Sequence, residues 1–97
     1  MARVVYSSRA LDHLEQAFDY VAQHDPNSGI AAANAIRSAV EVLQMHPFIG
    51  RRTEGELREL VISFGKTGYL ALYRFIPSKD EVRILAIRHQ RELDYPF

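Results

Sequence analysis

The feature that most restricts how this chain can fold is a change of hydrophobic period at Pro47. Before it, apolar side chains recur at steps of three and four, as on one stripe of a helix. After it they recur at every second residue, as on one face of a strand. A chain that makes this switch builds a helical part and a sheet part. Each has an apolar face to hide, and the helices find no other apolar surface in reach than the sheet.

In the helical part, Leu11, Leu14, Phe18 and Val21 form the first stripe and Ser8 offers a capping oxygen. A helix is therefore predicted over residues 8 to 24, with Asp12 and Glu15 toward its positive end. Asp25-Pro26-Asn27-Ser28 breaks it and starts another, with Asp25 as the cap and Pro26 where a missing N–H costs little. The second helix runs to His46 on the stripe Ile30, Ala33, Ile36, Val40 and Leu43, with Asn34, Arg37, Ser38, Glu41 and Gln44 opposite. His46-Pro47 ends it, because a residue before proline avoids the helical region. So short a link makes the pair antiparallel.

Arg3 to Ser7 is a short β-branched and aromatic strand ahead of the helices. After a loop over residues 48 to 55, Leu57 to Phe64 places Leu60, Ile62 and Phe64 on one face and Glu59, Val61 and Ser63 on the other. Gly65 to Gly68 is a turn, Tyr69 to Ile76 a strand apolar on both faces, Pro77 to Asp80 a second turn and Val82 to Arg88 a third strand. The expected fold is α+β, β-α-α-β-β-β, with the helix hairpin packed on one face of a small antiparallel sheet. The polar and aromatic segment from Arg88 to Phe97 leaves the sheet as a tail. Residues 1–97 are expected to form one domain, since a chain of this length closes a single core.

Composition narrows the function classes. Twelve Lys plus Arg balance twelve Asp plus Glu, so the molecule as a whole has no strong attraction to nucleic acid. The balance is uneven along the chain: residues 1–48 hold three basic and five acidic side chains, residues 49–97 nine and seven. An anionic partner would meet the second part. Cysteine is absent, which excludes disulfides, thiolate metal sites and a thiol nucleophile. No uncharged run approaches the roughly 20 residues of a membrane-spanning helix, and the N-terminus turns polar too soon for a secretory leader. A soluble, cytoplasmic, unprocessed protein with no membrane partner is expected.

Sequence signatures for phosphate loops, dinucleotide folds, zinc peptidases and serine hydrolases are missing, and nothing implies a cofactor. No two histidines stand three or four residues apart, so no metal site is expected. His13 and His24 read as surface positions and His46 as a helix-end residue. Arg58, Arg74 and Arg83 fall within strands, where a guanidinium persists only if it reaches solvent, an acid or an anion. Together with Arg88, His89 and Arg91 they could form a basic surface on the helix-free face. Alternatively, each pairs locally with Glu59, Glu81 or Glu92. Acid–base chemistry near neutral pH would fall to His89, with Arg91 or Arg83 beside a scissile phosphate and Tyr95 as a second proton donor. His89 could equally just end a strand. Tyr69, Tyr73 and Phe75 share a face and suit either base stacking or, more commonly, core packing.

Several strings taken in order carry a resemblance. Ser8-Arg9-Ala10-Leu11-Asp12-His13-Leu14 opens the first helix, and His46-Pro47-Phe48-Ile49-Gly50-Arg51 follows the second. Leu57-Arg58-Glu59-Leu60, the run Tyr69 to Arg74, and Ile87-Arg88-His89-Gln90-Arg91-Glu92 complete the set. With this order and spacing the chain resembles the RelE/ParE superfamily of bacterial type II toxin–antitoxin systems, and within it the ParE, or plasmid-stabilisation, branch. The resemblance implies a growth-arresting toxin neutralised by a cognate antitoxin, ParD-like or another short acidic protein. It implies DNA gyrase as target for the ParE branch, and cleavage of messenger RNA on the ribosome for the RelE branch. Ser63 and Phe64 stand where the ribonuclease members tend to carry a charged or basic residue, and Lys66 and Lys79 are the only lysines. Both departures favour a gyrase poison without catalysis over a ribosome-dependent mRNA endonuclease using His89, Arg91 and Tyr95. A third option is an inactive relative that only binds antitoxin. The target contact is expected at Arg88, His89, Arg91, Tyr95 and Phe97. An extended antitoxin that folds on binding would bury an apolar stripe at the junction of sheet and hairpin and set its acids against Arg51, Arg52, Arg58 or Arg74.

Overall fold

A hydroxyl at Ser7, rather than at Ser8, starts the first helix. Its Oγ accepts from the Ala10 N–H at 3.0 Å and donates to the Leu85 carbonyl at 3.1 Å, so one side chain both caps the helix and ties it to the last strand. In the computed structural model, which describes residues 1–92 and 94–96, the chain runs β1 (Arg3–Tyr6), α1 (Ser8–Ala22), α2 (Pro26–Glu41), β2 (Arg51–Arg52), β3 (Leu57–Phe64), β4 (Thr67–Ile76) and β5 (Glu81–His89). Asp25 caps α2 as expected, its carboxylate taking the Asn27 N–H at 3.2 Å and the Ser28 hydroxyl at 2.8 Å, with Pro26 at the first helical position. α2 gives way to a tighter 3₁₀ turn at Val42–Gln44 before Pro47.

The α+β architecture is the expected one: an antiparallel helix hairpin lies on one face of the sheet, α1 over β5 and α2 over β3. The sheet, ordered β1-β5-β4-β3-β2, is mixed and not purely antiparallel, because β1 pairs parallel to β5. β2 already occupies the β3 edge, which leaves the first strand the β5 edge, reached with the helix hairpin as crossover. β2 itself, two residues long, forms within what the sequence presented as a loop. The turn between β3 and β4 is also tighter than expected, since Thr67 and Gly68 continue the strand and pair with Phe64 and Ser63.

The core contains Ile36, Val40 and Leu43 from the second helical stretch and Ile62, Tyr73, Val82 and Ile84 from the strands, all almost without solvent contact. The two helical stripes are turned slightly from the expected ones. Leu11 and Ile30 are about half exposed (51% and 53%), while Ala10, His13, Gly29 and Ala32 face inward. Small residues let the helices approach closely: a Cβ on Gly29 would meet the Ala22 Cβ at 2.8 Å. Tyr73 locks the α2–β2 loop, its hydroxyl donating to the Pro47 carbonyl at 2.9 Å and accepting from the Gly50 N–H at 2.8 Å. Any side chain at Gly50 would sit 2.6 Å from that ring. Tyr73 and Phe75 therefore serve the core, and Tyr69 packs against it with 5% of its surface left open.

A bulge in β5 sets the geometry of everything that follows. Leu72 pairs with Ala86 and Tyr73 with Ile84, so Leu85 has no partner across the ladder. The extra residue reverses the alternation: Val82 and Ile84 face the helices before it, Ile87 and His89 after it. Strict alternation would put Arg83 and His89 on one face. The bulge puts Arg83 with Arg88 on the helix-free face, and His89 beneath α1.

Candidate functional site

On the helix-free face two carboxylates are covered by arginines. Glu81 accepts from Arg3 at 2.8 Å and from Arg83 at 2.7 Å, joining β1 to β5. Glu59 accepts from Arg51 at 2.6 Å and from the Tyr95 hydroxyl at 2.6 Å, with Arg88 at 3.9 Å. Both are nearly hidden from solvent, Glu59 at 5% and Glu81 at 3% exposed, yet each lies only one layer of side chains deep. Burial alone would raise the Glu59 carboxyl, but the hydrogen bonds from Tyr95 and Arg51 and the charges of Arg51 and Arg88 outweigh it and hold it below its ordinary value. The Arg3 hydrogen bond does most to lower Glu81, against a smaller rise from burial, with Arg83 adding to the lowering.

The tail is drawn back onto this face. The Arg88 guanidinium lies 5.2 Å from the centre of the Tyr95 ring and donates to the Glu92 carbonyl, while its Nε is buried without a hydrogen-bond partner among the described residues. Burial, followed by the bond to Glu59 and the charge of that carboxylate, pushes the Tyr95 phenol well above its ordinary value. Tyr95 is thus a fixed donor to a carboxylate and an unfavourable source or sink of protons near neutral pH.

His89 lies on the other side, in a cleft of about 570 Å³ between α1, the β3–β4 turn and the tail. Its Nδ1 accepts the Arg91 N–H at 3.1 Å, so the ring hydrogen sits on Nε2 and is given to Thr67 Oγ1 at 3.0 Å. The ring meets Tyr69 edge-on at 5.4 Å. His13, expected at the surface, is buried at the back of the same cleft. Its Nδ1 accepts the Ile87 N–H at 3.0 Å and its Nε2 donates to the Pro96 carbonyl at 2.7 Å. β1 covers β5 only as far as Ile84, and the imidazole takes the place of the missing strand neighbour beyond it.

The four arginines expected to meet an antitoxin lie toward one end of the sheet, divided between its faces. Arg51 and Arg74 share the helix-free face, the latter 3.4 Å from Glu56. Arg58 points to the helix side, where it donates to the Phe48 and Gly50 carbonyls at 3.0 and 2.8 Å and lies over the Phe48 ring. Arg52 donates to the Gly55 carbonyl at 2.9 Å. Beside them Met45, Phe48 and Ile49 are more than half exposed.

The structure therefore brings the expected site residues together in two groups. Arg83, Arg88 and Tyr95 are on the helix-free face; His89 and Arg91 are at the cleft; Phe97 lies outside the described residues. The local-pairing reading holds for Arg83 with Glu81, whereas Glu59 collects arginines from β2 and β5 and pairs with neither Arg58 nor its own strand. Sequence reasoning missed His13, whose signal is the spacing Ala10, His13, Ala17 of small residues that mark the true inner stripe of α1. Among the described residues no three His, Asp or Glu side chains gather as a metal site would require, and no helix is long and apolar enough to cross a membrane.

Comparison with known proteins gives a consistent picture. Residues 4–94 match the family described as ParE toxin of the type II toxin–antitoxin system parDE. Among curated proteins, the chain is 36% identical over 92 residues to Toxin RelE3 of Caulobacter vibrioides, covering 95% of this chain and 98% of that one. It is 33% identical over 93 residues to Toxin RelE2 of the same organism, covering 96% and 100%. Among solved structures it is similar to a chromosomal ParDE system from P. aeruginosa, with a TM-score of 0.74 and 25% identity over 92% of this chain and 96% of that one. Its fold is also that of a chain in the intact E. coli RelBE toxin–antitoxin complex, with a TM-score of 0.67 and 14% identity, covering 95% and 100%.

Proposed function

The chain belongs to the ParE toxin family and is the toxin of a type II toxin–antitoxin system, and from that premise we propose that it arrests growth by binding DNA gyrase, with no bond-making step of its own. The observation that carries this reading is the reversal at Leu85. It leaves Arg83 and Tyr95 on the face opposite His89 and Arg91, so the four groups that a 2′-hydroxyl attack was expected to use are divided between the two sides of the sheet. Both His89 ring nitrogens are already engaged, one by the Arg91 N–H and one by Thr67. Tyr95 is committed to Glu59.

The target contact is made by the tail and its root: Arg88 and Tyr95 on the helix-free face, His89 and Arg91 at the cleft, and Phe97. A cognate antitoxin silences the protein, as the ParDE and RelBE pairings of the structural neighbours suggest. Its acids meet Arg51, Arg52, Arg58 and Arg74, and its apolar side chains meet Met45, Phe48 and Ile49.

The names of the Caulobacter relatives favour the alternative, a ribosome-dependent mRNA endonuclease. Adding the protein to a gyrase supercoiling reaction, and separately to a translating extract read by primer extension, separates the two. Loss of supercoiling with intact message is expected. Message cut at codons while gyrase works normally would reject the proposal, and silence in both assays would leave an inactive relative that only binds antitoxin.

A further inference from the structure

The cleft that holds His89 lends Arg91 to the gyrase reading, which leaves its aromatic walls, the Thr67 hydroxyl and Lys66 without a use. Its inner wall is Tyr69, 5% exposed, with the His89 ring set perpendicular to it. Across the opening stands Tyr20, 68% exposed, an aromatic ring of α1 left in solvent. Thr67 accepts the His89 ring hydrogen, which leaves its own hydroxyl hydrogen free to be donated into the cleft. Lys66 and Arg91 are exposed at the mouth, and neither side chain has an ion-pair or hydrogen-bond partner among the described residues. The one carboxylate in the lining among the described residues, that of Glu92, is held by the His89 backbone N–H at 3.0 Å. The volume of about 570 Å³ lies in the range of small-ligand sites.

An aromatic wall, a second aromatic ring at the opening, one free hydroxyl donor and two unpaired cations describe a ligand that is flat at one end and anionic at the other. We propose that this cleft binds a nucleoside monophosphate, either free or as the phosphorylated end of a strand. The base lies against Tyr69 and Tyr20, and the phosphate between Lys66 and Arg91. Guanidinium and ammonium groups left without acids are suited to phosphate oxygens, and stacking on tyrosine is available to every base. The site is on the far side of the sheet from Glu59 and stands whether or not gyrase is the target.

The test is calorimetric titration of the full chain with AMP, adenosine, inorganic phosphate and a 5′-phosphorylated dinucleotide. AMP is expected to bind, and adenosine or phosphate alone to bind at least about tenfold more weakly, since each keeps only one half of the recognition. Lys66→Ala and Arg91→Ala are each expected to weaken AMP by about tenfold. Lys79→Ala, which removes the same charge from the turn after β4, is expected to leave the affinity unchanged. Thermal melts check that each variant is folded. Tighter binding of AMP than of the dinucleotide assigns the site to free nucleotide, and the reverse order to strand ends. No binding of AMP at millimolar concentration overturns the proposal. So does equal binding of inorganic phosphate, or an equal loss in Lys79→Ala, since either would reduce the site to diffuse charge.

Discussion

Beneath the helices the sheet buries Ile62, Tyr73, Val82 and Ile84 and no carboxylate, whereas its bare face hides both Glu59 and Glu81 under arginines. The two faces hold the same strands by different means. Under the helices, cohesion comes from apolar area and close packing, which tolerate little rearrangement. On the bare face it comes from hydrogen-bonded ion pairs one layer deep, whose arginine members reach solvent. Arg51 is 70% exposed while gripping a carboxylate that is 6% exposed at its side chain, so the grip opens outward.

Breaking the covered face is expected to have the largest effect. Tyr73→Ala empties the core and orphans the Pro47 carbonyl and Gly50 N–H, and should cost about 3–5 kcal/mol in urea unfolding. A loss under about 1 kcal/mol would mean that the hydroxyl and ring do not anchor the loop. His13→Ala, at the seam between the faces, leaves the Ile87 N–H and Pro96 carbonyl without partners and should cost about 1–3 kcal/mol. Protection of the Ile87 amide from hydrogen exchange should fall with it.

Glu59→Gln tests the bare face through pH. The folded carboxyl lies below its ordinary 4.5, so its stabilisation is complete above that pH and is lost as pH falls toward the lower folded value. The wild-type protein should therefore lose stability on acidification below pH 4.5 more steeply than Glu59→Gln. Identical acid slopes would show that the arginines do not depend on that charge. The smallest structural effect is expected from Arg91→Ala, within about 0.5 kcal/mol because its side chain is exposed and unpaired. The same variant should relieve growth arrest on expression, and persistent arrest would remove Arg91 from the target contact.

Much of this was legible in the sequence, and what was not has identifiable causes. The change of period at Pro47, the Asp25-Pro26 helix start and the alternation Leu60, Ile62, Phe64 each reflect burial on one face, which hydrophobic pattern reports directly. The stripe of α1 was displaced because alanine contributes little to such a pattern, although Ala10 and Ala17 are what let the helix settle on β5. His13 was hidden for the same reason: a polar residue on the inner face is explained only by the strand edge it completes. The bulge at Leu85 left no local signal, since Ile84, Leu85, Ala86 and Ile87 are all apolar and support either parity. Its consequence was large, because every residue after it changes face. The arrangement of the candidate residues was therefore not legible: of the two arginines expected beside His89, Arg91 shares its cleft and Arg83 is carried to the other face by the backbone.

The pairing of β1 with β5 carries a consequence for how the protein comes into being. Arg3 is hydrogen-bonded to Glu81, 78 positions later in the chain, and β1 has no other neighbour in the sheet. While the ribosome is still adding those residues, over about 4–16 s at ordinary elongation speeds, the first strand waits unsatisfied. An interrupted translation product lacking β5 would have neither the sheet edge nor the root of the tail. The sheet is thus complete only when synthesis is nearly finished, which leaves a partner made beforehand time to be present when the fold closes.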